Sequence, residues 1–80
     1  MGQGVGKDEA AGARYTLRAA EAGDVDAQRN IGNDYYFGHG VAKDMVQSLA
    51  WYRKAAAQGD ERAIGLLKTD QALVAAAQAR

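Results

Sequence analysis

A lone imidazole, a glycine-rich stretch ending in lysine and two closely spaced carboxylates are the groups in this 80-residue chain that could do chemistry. The stretch Gly2-Gln3-Gly4-Val5-Gly6-Lys7 has the makings of a loop whose backbone N–H groups cradle phosphate oxygens. A full phosphate loop needs Gly-x4-Gly-Lys-Ser/Thr after a buried strand. Here Met1 holds the first glycine position, Asp8 replaces the hydroxyl residue and no strand precedes. His39, flanked by Gly38 and Gly40, would need further ligands to hold zinc, and the chain has no cysteine and no second histidine. Asp24 and Asp26 suggest acid–base work, which demands one perturbed and one ionised carboxyl in a shared cleft. Capping the start of a helix asks only for Asp at that place and accounts for the pair more simply. No nucleophile and base, metal cluster or cofactor motif emerges, so the expectation is a non-enzymatic chain without catalytic residues, metal or cofactor.

The glycines have a better explanation in a repeat. Gly2 to Asp8 and Gly38 to Asp44 share the pattern Gly-x-Gly-Val-x-Lys-Asp at an offset of 36 residues. The same offset aligns Tyr15 with Trp51, Arg18 with Lys54, Ala19-Ala20 with Ala55-Ala56, Gly23-Asp24 with Gly59-Asp60 and Ala27 with Ala63. Self-similarity at such a period marks a solenoid, in which each unit buries its apolar face by stacking on the next. Ten basic residues balance ten acidic ones with no basic run, which argues against nucleic acid and anionic membranes as partners. The longest apolar stretch, Leu73 to Ala77, is far short of the roughly 20 residues needed to cross a bilayer. The glycine-rich start does not resemble a secretory signal, so a cytoplasmic location is the default expectation.

Proline is absent and alanine abundant, which predicts an all-α chain. A first helix is expected over 8–22, capped by Asp8 and stopped at Gly23. A second starts at Asp24 or Asp26 and runs to about Phe37, with Ala27, Ile31 and Tyr35 on its apolar stripe. Gly38-His39-Gly40 then reverses the chain. Asp44 caps a third helix whose buried side is Val46, Leu49, Ala50, Trp51, Ala55 and Ala56, and Trp51 is expected in the core. Asp60 caps a fourth helix that meets no further glycine after Gly65 and is expected to run to 79. About four antiparallel helices would stack as two hairpins.

The string Ala27-Gln28, Ile31-Gly32, Tyr35, Gly38-His39-Gly40-Val41, Asp44, Trp51-Tyr52, Ala55-Ala56 and Gly59-Asp60 closely resembles the Sel-one-like repeat family, a branch of the tetratricopeptide-like α/α solenoids. The resemblance implies a single domain over 1–80: the second helix of a partial repeat at 8–22, a complete repeat at 24–58 and a capping helix at 60–79. It implies an α/α superhelix that binds a peptide or partner protein on its concave face. Carried over by alignment on Ile31, Gly32 and Tyr35, that face would present Asp26, Arg29, Asn33 and Tyr36, with Phe37 at the rim and Arg62 and Thr69 on the last helix. Tyr36 and Phe37 would hold the partner, and Arg29 and Asn33 would orient it. Asp34 departs from the family pattern, standing where a large apolar residue such as Met is usual. An alternative reading is structural: the apolar side of the first helix around Tyr15 is covered by a homodimer or by exchange of a terminal helix, or by further repeats of a longer solenoid.

Overall fold

The computed structural model describes residues 8–78. Among these residues the chain is all-α, without strands: α1 Glu9–Glu21, α2 Val25–Phe37, α3 Met45–Ala57, α4 Glu61–Thr69 and α5 Gln71–Gln78. The glycine-rich stretch 2–7 lies outside the described residues, as do 79 and 80.

Each helix start is explained by a carboxylate that satisfies backbone N–H groups lacking intrahelical partners. Asp8 accepts from the Ala11 amide, Asp24 from Ala27 and Asp60 from Ala63, each at 2.9 Å, while Asp44 accepts from Val46 and Gln47. Asp24, not Asp26, is therefore the cap of α2. The sequence repeat is also a repeat of backbone bonds. The Gly23 amide donates to the Ala20 carbonyl and the Asp24 amide to Ala19; thirty-six residues on, Gly59 donates to Ala56 and Asp60 to Ala55. At the end of α2, Gly38 takes a left-handed conformation (φ +74°) that a side chain would oppose. The loop it opens lies so close to α1 that a Cβ on Gly40 would sit 2.2 Å from the Glu9 carbonyl oxygen.

Helix α3 lies between two apolar clusters and belongs to both. Trp51 packs with Ala13, Ala20, Ala27 and Ile31 of α1 and α2. Leu49, Tyr52 and Ala55 pack with Ala63 of α4 and Leu73 of α5. Gly32 lets α3 approach α2: a Cβ there would stand 2.9 Å from the Tyr52 ring, and the Ser48 hydroxyl donates to the Gly32 carbonyl at 2.7 Å. The buried Gln28 donates to the Ala20 carbonyl and accepts from Gln58, so the polar groups taken into this core are paired.

Two expectations are corrected. The last helix does not run unbroken over 60–79, because Asp70 leaves helical geometry (ψ 116°) and its carboxylate accepts from the Ala72 and Leu73 amides, restarting the chain as α5. A short acidic side chain that competes for backbone amides breaks a helix as glycine does. In α3, Val46 and Ala50 are exposed, and Ser48 and Tyr52 take the buried places. The face of α3 turned to α2 is set by the close approach at Gly32, which admits a small hydroxyl and a flat ring.

Candidate interaction groove

Arg29, Asn33 and Tyr36 recur at i, i+4 and i+7 on α2, so they share one face of that helix. Across from them stands α4, bounded by two aspartates. Arg29 Nη1 lies 2.7 Å from Asp60 Oδ1 at the start of α4 and 3.2 Å from Asp26 Oδ1 on its own helix. The Tyr36 hydroxyl donates to Asp70 Oδ2 at 2.8 Å at the other end. Asn33, between them, accepts a hydrogen bond from the Tyr52 hydroxyl. Both ends of α4 are thereby tied to α2. The Arg29 and Asp60 side chains are only 16% and 13% exposed, a setting in which a charge-assisted bond is stronger than at an open surface.

Between these ties a shallow groove of about 170 Å³ opens, lined by Tyr36, Phe37, Tyr52, Leu66 and Asp70. Phe37 is 72% exposed at its rim, and its ring meets Tyr36 edge-on at 4.7 Å between centroids. The hydrogen bond to Asp70, with burial and the aspartate charge adding, pushes the Tyr36 phenol above its ordinary pKa. Tyr52 is pushed up to about 12, chiefly by burial, with the charges of Asp70 and Asp34 adding and a contact with Ser48 opposing. Both phenols stay protonated and donate.

The structure thus brings Tyr36 and Phe37 together and pairs Arg29 with both Asp26 and Asp60. It does not bring Arg62 or Thr69 into the groove. Arg62 is exposed beside a separate open cleft with Val25, Gln58 and Asp60, and the Thr69 hydroxyl turns back to the Gly65 carbonyl at 2.8 Å. Sequence reasoning missed Leu66 and Asp70. Their i, i+4 spacing and the position of Asp70 three residues before the apolar Leu73 were the available signal.

His39 lies within the glycine turn that follows α2, with Nε2 2.9 Å from Glu9 Oε2 and Nδ1 3.5 Å from Asp34 Oδ1. It ties the loop after α2 to the start of α1. Burial raises the Asp34 carboxyl above its ordinary pKa, and the contact with His39 opposes that shift. Among the described residues no three His, Cys, Asp or Glu side chains are placed to hold a metal ion, and no helix is long and apolar enough to cross a membrane.

The chain is 41% identical over 63 residues to the chitin synthase regulator SKT5 of Saccharomyces cerevisiae, a match that covers 79% of this chain and 9% of that protein. No solved structure matches significantly. The Sel1 repeat model matches residues 1–24 and 25–60, and its second match begins at the first residue of α2 and ends on the aspartate that caps α4. Such repeats are protein–protein interaction modules rather than enzymes, and with three quarters of its length matched in two consecutive units, this chain belongs to the Sel1 repeat family.

Proposed function

We propose that the chain holds a peptide segment of a partner protein along the face shared by α2 and α4, with Phe37 as the principal anchor. One observation carries this reading: a large aromatic ring stands 72% exposed at the edge of a groove with an apolar floor, braced by a second ring. Exposed aromatics of this kind are enriched at interfaces, and rigid rings lose little entropy on contact. Tyr36 lines the groove beside Phe37. Arg29 and Asn33 act by holding α2, α3 and α4 in register, Asp26 supports Arg29, and Arg62 and Thr69 stand outside the groove. The yeast relative is a regulator of chitin synthase, in keeping with a module that works by holding another protein.

The test is selection from a random-peptide display library on the immobilised chain, followed by binding of each selected peptide to Phe37→Ala. Peptides that bind the parent and lose most of their affinity for a Phe37→Ala variant of unchanged helicity support the reading. Equal binding to both proteins places the interaction elsewhere.

A second reading, self-association, is favoured by a separate observation. Tyr15 is 72% exposed, whereas Trp51, its equivalent one repeat on, is 9% exposed against the preceding helices. A second copy of this chain would cover the α1 face of Ala11, Arg14, Tyr15 and Arg18, where a cleft of about 130 Å³ already opens. Light scattering across a concentration series would show a dimer that Tyr15→Ser converts to a monomer. A monomer at all concentrations would exclude this reading.

A further inference from the structure

The groove beside Phe37 is too small for an ordinary small-molecule site: its volume of about 170 Å³ falls below the roughly 300 to 1,000 Å³ typical of those. It suits a single long side chain. Phe37, Tyr36, Tyr52 and Leu66 supply its apolar walls, and among the described residues Asp70 is the charged group in its lining.

Among the described residues no basic side chain neutralises Asp70. It accepts hydrogen bonds from the Tyr36 hydroxyl and from the Ala72 and Leu73 amides, all uncharged donors. Among the described residues no Lys, Arg or His nitrogen lies within 4.0 Å of it, and Arg29, the basic residue of α2, is held by Asp60 and Asp26. A carboxylate has about four acceptor positions, so one remains open here. The α5 N-terminus offsets part of its charge, which leaves the mouth of the groove negative. An anionic side chain would be repelled, and a purely apolar one would leave the open acceptor unused.

We propose that this groove receives a lysine or arginine side chain of the partner, its aliphatic stem across Phe37 and Leu66 and its cationic head on Asp70. Long basic side chains lay their stems on apolar surface while the head reaches a polar partner, and a cation near an exposed ring gains further attraction. A cation beside an aromatic ring already occurs within the chain, where Lys54 Nζ stands 5.7 Å from the centre of the Trp51 ring. The inference rests on the interaction reading of the α2 and α4 face and adds the chemistry of what binds there.

The test is an NMR titration of the isotope-labelled chain with N-acetyl-lysine methylamide and N-acetyl-arginine methylamide, against the uncharged N-acetyl-norleucine methylamide. The cationic probes are expected to shift the amides of Phe37, Leu66 and Asp70 and to saturate at several-fold lower concentration than norleucine. Asp70→Asn keeps a side chain able to cap α5 and should abolish that preference. Phe37→Ala, which alters only an exposed ring, should weaken both kinds of probe. Equal affinity for charged and uncharged probes, shifts that map outside the groove, no saturable shift at all, or a preference that survives Asp70→Asn would each overturn the proposal. The two readings fail separately. Selected peptides that need Phe37 but carry no basic residue would leave the interaction surface standing and remove its cation preference. A lysine probe bound at Asp70 with no peptide ever selected would do the reverse.

Discussion

Arg29, Asn33 and Tyr36 occupy the positions of α2 that a tetratricopeptide-like geometry offers to a ligand, yet each has a polar atom bonded within the chain. Their partners, Asp60, Tyr52 and Asp70, lie 19 to 34 residues away, and together they fix how α3 and α4 sit against α2. What remains on that face for a partner is mainly Phe37 and the groove behind it. Gly32 makes the arrangement possible by its lack of a side chain. Gly32→Ala would drive a Cβ into the Tyr52 ring at 2.9 Å and should cost about 1–3 kcal/mol, read as a lower urea midpoint. An unchanged midpoint would show that the ring can move aside at no cost. Tyr52 itself gives the fold an alkaline limit. Its folded pKa of about 12 lies above the ordinary value of 10.0, so its contribution is present in full below pH 10 and is lost as pH rises through 12. At about 1.4 kcal/mol per unit this amounts to roughly 2–3 kcal/mol. Tyr52→Phe should flatten the fall in stability between pH 10 and 12, leaving the smaller part due to Tyr36; a profile identical to the parent would refute the assignment.

The aspartate caps distinguish one helix from another. Asp24 serves only the Ala27 amide, whereas Asp60 serves both the Ala63 amide and the Arg29 guanidinium. Asp24→Ala should therefore cost about 1 kcal/mol, the usual value of a lost cap. Asp60→Ala should cost about 1.5–3 kcal/mol more, since it also leaves a half-buried arginine without that partner. Equal losses in chemical denaturation would mean that the link from α2 to α4 adds nothing. Asp70 is the third case, a cap that also breaks a helix. The sequence suggested one helix from Asp60 onward because no glycine follows Gly65, but Asp70 takes two amides for itself and a hydroxyl from Tyr36. The break turns α5 back so that Leu73 reaches the cluster around Tyr52 and Ala55.

At the scale of the whole molecule, α3 is shared between two clusters and the outer helices each belong to one. In a stack whose units contact only their neighbours, stability falls toward the ends. Hydrogen exchange should accordingly be slowest in α3 and much faster in α5, with α1 between; uniform protection across all five helices would show that the stack opens only as one unit. The repeat, the all-α class and four of the helix starts could be read in the sequence because they depend on local physics. A carboxylate within three residues of an orphan amide, or a glycine able to take positive φ, acts on its own neighbourhood whatever surrounds it. The core position of Trp51 was readable too, from helical spacing and its match to Tyr15. The outward turn of Val46, the burial of Tyr52, the break at Asp70 and the internal use of Arg29, Asn33 and Tyr36 were decided by tertiary structure. Each depends on a partner on another helix, and which partner stands opposite is set by how closely the helices approach, which Gly32 and the buried alanines control and no local pattern records.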